Sequence, residues 1–242
     1  MSIRVGLRPM GRRLGLAAAP PPPPIFPMEY VFTEGTISPY NIKYDDIVGS
    51  GPHTAATSEA ADPTFYNSQR KVVRASDGTL YVVYCKLFVV RYQIYVKKST
   101  DGGVTWTDET RISTYAGMES YIQFYPSIAV DSIDYLHVVW MGKATGYTTI
   151  NQIWYAKYTT SWATPVRIST YAGMEGYHQF YPSIAVDSID YLHVVWQGKA
   201  TGYTDYNKVW YAKYEASWDA PTVLQSTGQN QYPNLRWSRW PP

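Results

Sequence analysis

An all-β chain built from repeated four-stranded units is what this sequence predicts, on three observations. Residues 111–166 and 167–222 are one 56-residue unit written twice, identical at 44 of 56 positions. A period of this length marks a repeat architecture. Each unit holds four short runs rich in Val, Ile, Tyr and Trp, punctuated by Gly, Asp, Ser and Thr, which is the pattern of strands joined by turns. No segment shows the apolar period of an amphipathic helix.

Residues 1–62 come first and have no period. Arg4, Arg8, Arg12 and Arg13 precede a short apolar run, Leu14–Ala19, that resembles a leader but is too short for one. Pro20–Pro24 predicts a polyproline II rod of about 15 Å. The remainder reads as an extended arm with no core of its own, which must lie against its own domain or another subunit.

The repeats occupy 63–242, with blades at about 63–110, 111–166 and 167–222 and a one-strand stub in 223–242. Leu80, Leu136 and Leu192 are in register, as are Trp106, Trp162 and Trp218, so the diverged first copy belongs to the series. In the second copy the strands are expected at about 124–130, 135–141, 151–158 and 162–168. In YLHVVW, Leu136, Val138 and Trp140 face one way and Tyr135, His137 and Val139 the other. Both faces are apolar, which fits a sheet stacked between neighbours. Four short strands per repeat, stacked face to face, describe a β-propeller-like array of four-stranded blades with an extended N-terminal arm.

Ser99-Thr100-Asp101-Gly102-Gly103-Val104-Thr105-Trp106 resembles the Asp-box, S-x-D-x-G-x-T-W, of the sialidase-like propellers. The matching residues are Ser99, Asp101, Gly103, Thr105 and Trp106. The resemblance covers about 63–222 and the stub at 229–237. It implies a propeller in which this box is a structural turn. In the later copies only the Trp of the box remains. Sialidase catalysis would need an arginine triad, a Tyr–Glu nucleophile pair and an acid/base Asp. Arg111 and Arg167 are repeat equivalents, expected to point alike from neighbouring blades.

Other candidate groups also come in repeated pairs: Asp131 with Asp187, Asp134 with Asp190, His137 with His193. The aspartates read as turn formers and the histidines as structural. A glycosidase needs two carboxyls converging at a set separation, and the sequence singles out no such pair. There is no Cys/His cluster, phosphate loop or nucleophile elbow, so neither a metal nor a cofactor is expected. Cys85 is the single cysteine; no intrachain disulfide can form, and a buried thiol is expected. A net charge of +2 gives no argument for nucleic acid, and no run of 18 apolar residues is present to span a membrane as a helix.

Tyr115 and Tyr171, in STYAGMExY, and Tyr147 and Tyr203, in GKATGYT, remain as candidate contacts, either for glycans or for packing at interfaces. Propellers have four to eight blades, while three full copies are written here. Closure by a second chain, by the arm, or by head-to-tail stacking is therefore expected. These features predict a non-enzymatic structural subunit that self-associates through its arm, in a virion component or extracellular filament. A glycan-binding propeller is the alternative, and a sialidase-type hydrolase follows it.

Overall fold

The computed structural model describes residues 40–46, 51–58, 64 and 69–225. The polyproline rod and the stub at 229–237 lie outside them.

Three four-stranded antiparallel sheets carry the repeats. The first blade is β3 (Val72–Arg74), β4 (Leu80–Phe88), β5 (Arg91–Ser99) and β6 (Thr107–Arg111), preceded by a two-stranded hairpin of β1 (Tyr40–Asp46) and β2 (Gly51–Ser58). The second is β7 (Gln123–Val130), β8 (Leu136–Ala144), β9 (Tyr147–Tyr158) and β10 (Val166–Arg167). The third is β11 (Gln179–Val186), β12 (Leu192–Ala200), β13 (Tyr203–Tyr214) and β14 (Thr222–Gln225). Sequence order is spatial order in every sheet. The fold is a β-propeller array of blades, as the repeat pattern predicts.

Alternation within each strand sends side chains to two neighbours at once. From β8, Val138 and Trp140 pack with Val83, Cys85, Ile94 and Val96 of the first blade. Val139 and Met141 pack the other way, with Val194, Trp196 and Trp210 of the third. Trp140, Trp154, Trp196 and Trp210 are fully buried. Each large apolar side chain so buried stabilises by about 1.5–3 kcal/mol, so the interfaces, not the isolated blades, hold the array together. Cys85 sits in the first interface, where burial pushes its thiol up to about 12.

Three details differ from the sequence reading. First, β9 begins at Tyr147, four residues earlier than expected, because Thr145-Gly146 makes a two-residue turn with Gly146 at φ 85°. Most of the GKATGYT text is therefore strand. Second, β10 shrinks to Val166–Arg167, and Trp162 makes only an isolated bridge to Tyr158. Pro165 lies between them and has no N–H to give a ladder. Third, residues 40–46 and 51–58 of the expected arm form the hairpin strands, and Ala55 and Ala56 are buried against Val82, Tyr84 and Tyr95 on the first blade's outer face.

The turns between first and second strands clasp neighbouring blades. The Asp134 carboxylate accepts from the Ser76 amide (2.7 Å) and hydroxyl (2.5 Å) of the blade before it. Asp190 does the same with Ser132, at 2.8 and 2.5 Å.

Candidate functional site at the inner strands

The first strand of each blade lies innermost, and these strands touch one another. The Ile128 amide donates to the Arg70 carbonyl (3.0 Å), and the Ile184 amide to Ser127 Oγ (3.3 Å). Gln69 Nε2 reaches from the first blade to the Pro182 carbonyl of the third, at 2.7 Å. The three inner strands thus converge.

Register aligns Gln69 with Tyr125 and Tyr181, and Lys71 with Ser127 and Ser183. The second and third blades carry Tyr-Pro-Ser there; the first carries Gln-Arg-Lys. Tyr125 and Tyr181 adopt φ of 56° and 53°, a conformation that a bulky residue rarely takes and that pre-proline sterics disfavour further. The ladders beside them shift register, between Phe124 and Ser127 and between Phe180 and Ser183. These bulges re-aim the tyrosines, as bulges do near functional sites.

The result is a continuous aromatic strip across three blades. Tyr92 lies 5.6 Å from Phe124, Phe124 5.5 Å from Tyr125, and Tyr125 5.0 Å from Tyr181, centroid to centroid. Tyr181 lies 5.7 Å from Phe180, and Phe180 5.6 Å from the His178 ring. The five aromatic rings before His178 are half-buried, while His178 is exposed. The Asn151 amide donates to His178 Nδ1 (3.1 Å), so that nitrogen is unprotonated. Burial, then the Lys143 charge, holds His178 below the ordinary imidazole value.

Polar side chains of the first blade fix the two Tyr-Pro kinks. Lys71 Nζ donates to the Pro126 carbonyl and to Gln69 Oε1 (3.0 Å), while Gln69 holds Pro182. Burial pushes the Lys71 amine down to about 7. Lys71 takes the Pro126 carbonyl, the repeat equivalent of the Arg70 carbonyl that Ile128 uses, and the Ile184 amide donates to Ser127 Oγ. This arrangement can seat a flat, polar-edged ligand on ring faces and orient it. The loops entering β7 and β11 carry the exposed carboxylates Glu119 and Glu175. Among the described residues, no group of three or more His, Cys, Asp or Glu could hold a metal.

The residues singled out from sequence lie elsewhere. Tyr115 and Tyr147 lean on Trp154, at 4.9 and 5.9 Å, and Tyr171 and Tyr203 on Trp210, at 4.9 and 5.4 Å. In the Ser99–Trp106 turn, Asp101 accepts from the Thr105 amide and hydroxyl and from Ser99 Oγ, and Trp106 Nε1 donates to the Gly103 carbonyl (3.0 Å). The Thr105 bonds, then that from Ser99, hold Asp101 well below the usual carboxylate range. Arg111 stacks over Phe88 (4.3 Å) and Arg167 over Tyr147 (4.6 Å), each engaged near its own blade. His137 and His193 each join a tyrosine hydroxyl, at 2.8 Å, to an aspartate: Tyr155 to Asp131 and Tyr211 to Asp187.

Sequence reasoning missed Gln69, Lys71, Phe124, Tyr125, Phe180 and Tyr181. The signal was the place where the first repeat departs from the other two, Gln-Arg-Lys for Tyr-Pro-Ser.

No protein-family model matches the sequence, and no curated protein does. Among solved structures, an α-L-arabinanase of Penicillium chrysogenum complexed with arabinobiose is similar at 13% identity and TM-score 0.53, over 79% of this chain and 60% of that one. A GH93 α-L-arabinofuranosidase of Fusarium graminearum complexed with arabinobiose is 14% identical over 72% of this chain and 54% of that one, at TM-score 0.45. An endo-arabinase of Bacteroides thetaiotaomicron is 13% identical over 73% and 70%, at TM-score 0.43. The chain spans about 60% of the length of the arabinanase. The propeller expectation stands, but the likeness is not specifically to sialidases. The expectation of a non-enzymatic structural subunit, assembling through its arm in a virion or filament, is corrected: the structure that shares the scaffold at TM-score 0.53 is that of an α-L-arabinanase. That expectation rested on matched pairs of candidate groups that single out no converging set; the first blade departs from the other two at Gln69-Arg70-Lys71.

Proposed function

We propose that this chain is a carbohydrate-processing propeller domain that seats a neutral saccharide on the inner-strand aromatic strip. The observation that carries the reading is the pair Tyr125 and Tyr181, turned by two strained bulges into a ring-on-ring row across three blades. A sugar ring offers C–H groups to an aromatic face and hydroxyls to polar neighbours, here the exposed His178. The propeller scaffold shared with an arabinanase makes α-arabinan the first substrate to try.

The test pairs calorimetric binding with release of reducing ends, on α-arabinan, other neutral polysaccharides and a fluorogenic sialoside. Binding to a neutral polysaccharide is expected, weakened about tenfold in Tyr125→Ala/Tyr181→Ala, as two aromatic contacts at about 0.5–1.5 kcal/mol each would give. Reducing ends released from arabinan would extend the reading to hydrolysis. Turnover of the sialoside alone would move the chain to the sialidase type. Failure to bind any neutral polysaccharide, or binding unchanged in the double variant, would refute the strip as the site.

A further inference from the structure

The two blade interfaces are built from one repeat, and one of them lacks a ring. Between the second and third blades, Tyr155 packs 6.3 Å from Tyr214 and 5.0 Å, edge on, from Trp218, with its hydroxyl on His137. Between the first and second blades the same shelf recurs. Tyr158 and Trp162 stand 5.4 Å apart, as Tyr214 and Trp218 do. In place of Tyr155 the first blade has Val96, and in place of His137 it has Tyr81.

The shorter side chain leaves a cavity of about 80 Å³, open on one side, lined by Tyr81, Val96, Lys98, Asp108, Tyr158 and Trp162 among others. Its mouth carries the Lys98–Asp108 ion pair at 2.8 Å. Two backbone irregularities sit at that mouth: Asp108 has φ 54°, and the β5–β6 ladder shifts between Val96 and Lys98.

We propose that this inter-blade cavity is a second binding site, one that takes a small phenolic ring in the position Tyr155 fills one blade on. The neighbouring interface shows that the shelf accepts a p-hydroxyphenyl group. Space that packing leaves unfilled between the aromatic walls forfeits dispersion contacts, which a ligand ring restores. The aromatic walls offer edge and face contacts to such a ring. The ligand hydroxyl falls on the side where Tyr155 meets His137, the side Tyr81 holds here.

The probe is p-cresol, the tyrosine side chain as a free molecule, titrated into the full chain by calorimetry and by thermal shift. Saturable binding at about millimolar Kd is expected, with a rise in Tm. Val96→Tyr supplies the ring from the chain and should weaken p-cresol binding at least tenfold while leaving Tm no lower. Trp162→Ala removes half of the shelf from a partly exposed position and should weaken binding likewise, so the proposal stays testable if Val96→Tyr folds poorly. No saturable binding to the unaltered chain, or undiminished binding in both variants, would overturn it. Displacement of p-cresol by arabinose at comparable concentration would reassign the cavity to sugars, and would equally overturn a phenolic site.

Discussion

Tyr125 and Tyr181 hold a backbone conformation that costs a bulky L-residue about 1–2 kcal/mol, at φ of 56° and 53°. Glycine takes it freely. Tyr125→Gly is therefore expected to be more stable than Tyr125→Ala by about 1 kcal/mol in urea denaturation, while both lose saccharide binding to the same extent. An ordinary strand position would give the opposite order, since glycine weakens strands. Lys71 makes a pH prediction. Its amine titrates at about 7 in the fold, against 10.5 as the ordinary value, because burial disfavours the ammonium. The native chain gives up this proton before the unfolded chain does. The group's contribution to stability thus grows as pH climbs from about 7 towards 10.5, is complete above that, and is absent below 7. Lys71→Met should flatten the rise in denaturation midpoint measured at pH 7, 8 and 9; an unchanged slope would mean that the amine is not the group responsible. None of this was legible in residue types alone, because Tyr before Pro reads as plain extended strand.

At the scale of the element, one polar clip recurs in the second and third blades. Gln123 Oε1 accepts from Trp140 Nε1 (3.0 Å), and Gln123 Nε2 donates to the Lys143 carbonyl (2.7 Å). Gln179, Trp196 and Lys199 repeat the set. Both clips depend on a glycine in the second strand: a Cβ on Gly142 would stand 1.8 Å from Gln123 Oε1, and one on Gly198 2.0 Å from Gln179 Oε1. Gly142→Ala should therefore cost about 2 kcal/mol or more, the magnitude of a buried polar pair left unpaired, read as a fall in the midpoint of chemical denaturation. Gly146→Ala meets no atom within 4 Å but strains φ 85°, so its cost should be near 1 kcal/mol. Strand count within each blade and face alternation were legible, since Leu136, Val138 and Trp140 alternate as a two-sided sheet requires. The start of β9 was not, because Gly-Tyr-Thr after a two-residue turn reads as loop text.

For the molecule as a whole, stability sits in the seams between blades. Trp154 is fully buried at the first seam, so Trp154→Ala should cost about 3–5 kcal/mol. Ile189→Ala, at a side chain 64% exposed, should change stability by less than about 0.5 kcal/mol. Comparing the two in one denaturation series separates seam packing from a general effect of lost carbon. The repeats made the array readable from the sequence. They also drew attention to the repeated aromatics Tyr115, Tyr147, Tyr171 and Tyr203, which lean on Trp154 and Trp210. The site arises where the copies disagree, at Gln69 and Lys71, and only the convergence of the inner strands brings those side chains to Tyr125 and Tyr181. A crystal structure of the chain soaked with arabinobiose tests this most directly. Arabinobiose is expected with a sugar ring stacked on Tyr125 or Tyr181. A sugar bound elsewhere at saturating concentration, with the strip unoccupied, would contradict it.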